Sequence, residues 1–251
     1  MRKYLAAIIS LAVILTGLFM ASPALAVTYL SPSFVQASST SDGCTNCASD
    51  VTSTLNGVAA GDLLLMGFGQ SILGTSTFTD SNGTPIFLAS TTWHTNSESW
   101  WYYEPNAAAG THNIHVHFPI NQSYPGVFVE EYSRSATSSP IDTFRVAIGN
   151  GGSTASSGNL SSTAQVNEMV YANGASAGGS LSAPSGFTMR DSSANAMDNA
   201  TSSLAQGTVT SGTFNYSGGG IDWAVMAATI KGQATSSAAS TSTDALFFAG
   251  D

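Results

Sequence analysis

The residues of this chain best able to do chemistry crowd into one stretch. Between Trp93 and Phe118 lie three of its four tryptophans and all four of its histidines: His94, His112, His115 and His117. Tyr102, Tyr103, Glu98 and Glu104 fall in the same stretch. Ser99 to Glu104 and Thr111 to Phe118 read as strands, with Pro105-Asn-Ala-Ala-Ala-Gly110 as a hairpin connection. Alternation along the second strand puts His112 with Ile114, Val116 and Phe118 on the core face. It puts Asn113, His115 and His117 on the outer face. Two imidazoles at i, i+2 hold a metal only with a third or fourth ligand. His94, and Glu98 or Glu104, are the candidates from neighbouring strands. A plain solvated strand face accounts for the same residues without a metal.

Trp100, Trp101, Tyr102 and Tyr103 must also divide between two faces. One pair should fill a core; the other should lie outward near His115 and His117 if the hairpin pairs as drawn. Flat rings beside Asn, His and Glu suit the apolar faces and hydroxyls of sugars, and serve equally as protein-interface anchors. The expected ligand-binding set is therefore Trp100, Trp101, Tyr102, Tyr103, Asn113, His115 and His117. The competing reading is that these bulky residues merely cover the edge of a Ser/Gly-rich sandwich.

Catalytic sets are harder to assemble. Gly174-Ala-Ser176-Ala-Gly178 matches the nucleophile-elbow pattern, but no helix-forming segment follows it and no histidine occurs after His117. Glu130 and Glu131 are adjacent on a strand and point to opposite faces, so they cannot flank one glycosidic bond. A pair from different strands, such as Glu98 with Glu130, stays open as a glycan hydrolase or lyase reading. Asp80-Ser-Asn82-Gly83 has the residue types of a calcium loop but not its length, and reads as a turn. No enzyme and no cofactor are expected; a bound Ca²⁺ or Zn²⁺ is the minor alternative.

The elements that must position these side chains are short and extended. Residues 1–26 read as a cleaved secretory leader: Arg2 and Lys3, an apolar run from Leu5 to Met20, then Ser22-Pro-Ala-Leu-Ala26. No second apolar run reaches spanning length, so no membrane span is expected after cleavage. The remainder carries four cations, Arg134, Arg145, Arg190 and Lys231, against 15 acidic residues, a formal charge of −11. Four scattered cations cannot track a phosphate backbone, which argues against nucleic acid. The chain is 43% hydrophobic and 8% charged, too apolar for disorder. Its wealth of Thr, Val, Ser, Gly and aromatics favours strands and tight turns. Cys44 and Cys47 read as a short-loop disulfide in an oxidising compartment, with a reduced pair as the alternative.

A weak repeat runs through the chain. Asp62-Leu-Leu-Leu-Met is echoed by Glu168-Met-Val-Tyr-Ala, Pro85-Ile-Phe-Leu by Gly186-Phe-Thr-Met, the strand after Gly110 by Ser211 to Tyr216, and Val127 to Tyr132 by Ala224 to Ile230. Two small sandwiches, or two halves of one larger sandwich, would both produce it. The expectation is one all-β domain over residues 27–232, an antiparallel jelly-roll-like β-sandwich. Residues 233–251 read as a Ser/Thr/Ala-rich tail with a short apolar end.

The ordered pieces Ala60-Gly-Asp-Leu-Leu-Leu, Phe78-Thr-Asp-Ser-Asn-Gly, Trp101-Tyr-Tyr with Ala109-Gly-Thr-His-Asn-Ile-His-Val, Val129-Glu-Glu-Tyr-Ser, Ser138-Ser-Pro-Ile-Asp142 and Asp222-Trp-Ala-Val-Met carry a resemblance. Together they resemble a β-sandwich module of secreted and surface proteins of bacteria that mostly has no assigned activity. The resemblance covers roughly residues 30–232 and supplies no catalytic motif. It implies a secreted or cell-surface, non-catalytic module, whose partner would be a glycan or a surface protein. The alternative is a structural subunit that self-assembles through the C-terminal tail.

Overall fold

The computed structural model describes residues 27–42, 48–71, 74–177, 180–183, 185–191, 198–203, 206–217 and 222–235. The residues read as a leader, the expected Cys44–Cys47 disulfide and the apolar end of the tail lie outside the described residues. Among those residues there are eighteen strands and no helix. The first nine are β1 (Thr28–Leu30), β2 (Ser33–Ser41), β3 (Ala48–Val58), β4 (Leu63–Gln70), β5 (Thr77–Asp80), β6 (Ile86–His94), β7 (Ser97–Glu104), β8 (Gly110–Gln122) and β9 (Gly126–Ser133). The rest are β10 (Ile141–Asn150), β11 (Thr154–Ser156), β12 (Met169–Ser176), β13 (Ser180–Ser182), β14 (Thr188–Asp191), β15 (Asp198–Ser203), β16 (Thr213–Ser217), β17 (Asp222–Ile230) and β18 (Gln233–Thr235).

The body of the protein is one eight-strand plan used twice. The first copy has a five-stranded sheet, β2-β9-β4-β7-β6, and a three-stranded sheet, β3-β8-β5. The second has β10-β17-β12-β15-β14 and β11-β16-β13. Adding eight to every strand number of the first copy gives the second. All four echoed segments fall on matching strands: β4 with β12, β6 with β14, β8 with β16, and β9 with β17. Each copy is a jelly-roll-like sandwich, and residues Tyr29–Ala234 form one compact unit.

Three apolar layers hold the four sheets. Leu55, Leu64, Met66, Ile114, Val116 and Val129 fill the first sandwich. Val170, Ala172, Phe214, Val225 and Ala227 fill the second. Between the two five-stranded sheets lies a third layer, with Leu63, Leu65, Trp101, Phe128 and Tyr132 from one side and Met169, Tyr171, Met226 and Ile230 from the other. The central strands are thus buried on both faces. This explains why Leu63–Phe68, Val127–Tyr132, Met169–Ala175 and Ala224–Ile230 are continuous apolar-rich runs rather than alternating ones. The outer strand β8, buried on one face only, keeps strict alternation, with His112, Ile114, Val116 and Phe118 inward.

Two sequence expectations change here. β7 and β8 are not a hairpin: β7 pairs with β4 and β6, whereas β8 pairs with β3 and β5. The Pro105–Ala109 segment is therefore a crossing from one sheet to the facing one, a step that a six-residue Pro/Gly-bounded connection makes as easily as a hairpin. Secondly, Gln233–Thr235, read as the start of a linker, is a strand paired with β1.

Candidate functional site

The loss of the hairpin separates the aromatics from the histidines. Trp101 is fully buried in the layer between the sandwiches, where its Nε1 donates to Asn173 Oδ1 at 2.5 Å. Tyr103 packs against the same layer. Trp100 and Tyr102 face the other way, against the core of the first sandwich. His115 and His117 stand on the far side of the facing sheet, both bonded to Asp50 Oδ1 at 3.0 Å; His117 first, then the Ser49 hydroxyl, with His115 last, hold the Asp50 carboxyl below its usual value. Asn113 is exposed and bonded to Thr54 and Ser81. His94 is elsewhere again, paired with Asp222 of β17 at 2.6 Å. The expected outer patch of one aromatic pair with His115 and His117 is therefore not formed, and the proposed third ligand, His94, does not join the other two.

Trp100 and Tyr102 end up on the flank of the first sandwich. Three strands face five, so the inner surface of β7 and edge strand β6 extends beyond the cover. Phe87, 51% exposed, lies opposite Tyr102 in the pairing of β6 with β7. Phe78 of β5 stacks on Tyr102 at 4.2 Å between ring centroids, and Phe68 stacks on Trp100 at 5.9 Å. Phe87 meets both Trp100 and Tyr102 edge-on or tilted. Polar groups border these rings: Glu98 accepts from Gln70 at 2.6 Å and from Trp100 Nε1 and Thr92 Oγ1 at 3.3 Å each. The result is an aromatic shelf whose inner rings are fixed by packing and whose outer ring, Phe87, faces water.

The same arrangement bears on the paired-carboxylate reading. Glu98 lies on the Trp100 side of its sheet, while Glu130 is buried on the opposite side, accepting from the Tyr132 hydroxyl. The two carboxylates do not face a common space.

A second constellation escaped the sequence reading. Asp80 ends β5, Glu104 ends β7 and His112 lies near the start of β8, and the side chains of Asp80 and His112 are completely buried. One ligand atom from each of Asp80, Glu104 and His112 lies within 4.8 Å of the others. His112 Nδ1 contacts Asp80 Oδ2, and its Nε2 faces the Ala108 carbonyl oxygen at 2.9 Å. Burial works to lower the imidazole's pKa, but the Ala108 carbonyl and Asp80 outweigh it and hold it above the ordinary value. Burial, then the neighbouring Asp80, pushes the Glu104 carboxyl up. The available signal was His112 itself: a histidine on an otherwise apolar strand face requires a buried partner. Asp80 was legible only as part of a turn.

Beside this cluster, Asp62 and Glu131 form a buried carboxyl pair. Glu131 accepts from Gln36 Nε2 at 2.6 Å and from the Ala59 N–H at 2.9 Å. Burial and Glu131 raise Asp62 to about 6. The second sandwich has a counterpart: Glu168 precedes β12 as Asp62 precedes β4, and accepts from the Gln165 N–H at 2.9 Å. In each copy a buried carboxylate accepts a backbone N–H from the turn before a central strand, Glu131 from Ala59 in the first and Glu168 from Gln165 in the second, a structural role.

No family model, curated protein or solved structure matches this chain.

Proposed function

We propose that the chain is a secreted, non-catalytic surface module that binds glycan on the aromatic shelf of its first sandwich. The leader at its N-terminus supports the compartment. The observation that carries the binding reading is the shelf made by Phe87, Trp100 and Tyr102 over Phe78 and Phe68. Its rings are ordered before any ligand arrives, so binding incurs little side-chain entropy. Flat rings stack on the apolar faces of a sugar, while Glu98, Thr92 and Ser90 offer hydrogen-bonding groups at the border. A protein edge could use the same rings as anchors; a sugar makes better use of the interleaved hydroxyls and carboxylate.

The test is a glycan array probed with the full chain, covering plant, microbial and host glycans. Binding to a defined class is expected, and Trp100→Ala with Tyr102→Ala should weaken it at least tenfold, the loss of ~1.4 kcal/mol or more. His115→Ala with His117→Ala should leave it unchanged, because those residues lie on another surface. Silence across the array, or loss of binding only in the histidine variant, would sink the reading.

A further inference from the structure

We propose that Asp80, Glu104 and His112 form a binding site for one divalent transition-metal ion of the zinc type, built into the end of the first sandwich beneath the Ser81–Gly83 turn. The site adjoins the aromatic shelf, because Asp80 and Glu104 lie two residues beyond the stacked pair Phe78 and Tyr102 on the same strand faces; its test reads metal binding and does not depend on the glycan reading.

The argument starts with the imidazole. Nε2 has two neighbours, the Ala108 carbonyl at 2.9 Å and the Asn82 amide nitrogen at 3.4 Å; the carbonyl is the closer and can only accept, which places the ring hydrogen on Nε2. In the neutral ring the Nδ1 lone pair then points at Asp80 Oδ2. A carboxylate has no hydrogen to offer a lone pair, so positive charge must join them: a proton on Nδ1 at the close contact in this structure, or a metal ion when the two ligand atoms part to hold it. A ligating histidine characteristically donates its other N–H to a backbone carbonyl, which fixes the ring and raises its basicity. His112 has that arrangement.

Glu104 supplies the second, independent observation. Its side chain is 6% exposed and its Oε2, fully buried, meets no hydrogen-bond donor. A buried carboxylate oxygen without a donor is costly; a metal ion would satisfy it. The surroundings are shaped around this carboxylate, because a Cβ at Gly83 would collide with both of its oxygens. The charge also balances: two carboxylates and a neutral imidazole sum to −2, which one divalent ion cancels. Protons alone would need two. The ion pairs among the described residues all use histidine as the cation, so no lysine or arginine performs the task here.

The donor set selects the class of ion. One imidazole nitrogen with two carboxylate oxygens suits zinc and its neighbours, leaving a fourth position open. Calcium takes six to eight oxygens and is poorly served by a histidine and two acids. The site lies close to the surface: Asn82 and Ala108, both in contact with His112 Nε2, are exposed, as is Ser81 of the same turn.

The full chain, stripped with EDTA and exchanged into metal-free buffer, is titrated calorimetrically with ZnCl2 alone. One equivalent should bind, with heats that depend on buffer because the ligands release protons. Glu104→Gln should raise Kd at least tenfold, and His115→Ala with His117→Ala should leave it within twofold. No binding to the wild-type chain, or binding that survives Glu104→Gln but is lost in the histidine pair, overturns the proposal. If Glu104→Gln fails to fold, Co²⁺ loaded into the wild-type chain decides. The intense visible ligand-field bands of a four- or five-coordinate ion support the site; the weak spectrum of hydrated Co²⁺ overturns it.

Discussion

Trp101→Ala is expected to destabilise the protein by about 3–5 kcal/mol, the range for deleting a fully buried large aromatic. The ring is buried between the two five-stranded sheets, and its Nε1 bonds across to Asn173 of the second sandwich. Its removal leaves a cavity at the junction of the copies and deletes a hydrogen bond worth ~0.5–1.5 kcal/mol. Against a total stability of ~5–15 kcal/mol for an ordinary domain, that is a large share. Trp100→Ala should cost less than about half as much, because Trp100 is only partly buried at the flank. Urea unfolding of both variants measures the difference. The wild-type chain should unfold in one transition, since the shared layer lets neither sandwich unfold without exposing the other. Two separate wild-type transitions, or equal costs for the two tryptophans, would show that the shared layer does not unite the copies.

Asp62→Asn is expected to stabilise the protein at pH 7.5 by about 1–3 kcal/mol and to do nothing at pH 3.5. The native carboxyl titrates at about 6, because burial and then Glu131 disfavour its charge. In the unfolded chain it titrates near ~3.9. Below the unfolded value both states are protonated and the native structure has its full stability. Between the two values the native state holds a proton that the unfolded state has released, so stability falls as pH rises. The fall is complete above the native value and amounts to roughly 1.4 kcal/mol per unit of difference. Asparagine keeps the shape and can donate to Glu131, yet never ionises. Glu168 is also raised, by burial first, and slopes the curve the same way. Denaturation midpoints of wild type and Asp62→Asn from pH 3.5 to 8 provide the check. A gain at pH 3.5 as large as at pH 7.5 would mean that ionisation of Asp62 is not the cause.

Much of the fold is written in local patterns. The turn signals and β-rich composition give short antiparallel strands, and the echo of Asp62-Leu-Leu-Leu by Glu168-Met-Val-Tyr marks corresponding central strands. The continuous apolar runs at Leu63–Phe68 and Met169–Ala175 even carry the information that those strands are buried on both faces. What is not local is which strand each one joins. Pro105 to Gly110 has the length and residues of a hairpin, and only the competition between sheets sends β8 to the opposite layer. That one non-local choice moves His115 and His117 away from the tryptophans. Alternation correctly sets His112 inward, but its partners Asp80 and Glu104 end two other strands, β5 and β7, which lie in different sheets. The side on which Trp101 rather than Trp100 is buried depends on the second sandwich, which periodicity within β7 cannot report.

The two ends of the sandwich body also leave side by side. A Cβ at Gly232 would collide with the Leu30 carbonyl, and Gly232 bridges to Ser135. This matters for mechanics. Tension drawn through the chain at Leu30 and Gly232 would act across their close contact rather than across the sandwiches. The small β1–β18 sheet would peel open before the apolar layers carried load. Such a body hangs beside a stretched polypeptide like a pendant rather than acting as a link in it, and its aromatic shelf would keep its shape while the strand it hangs from is pulled.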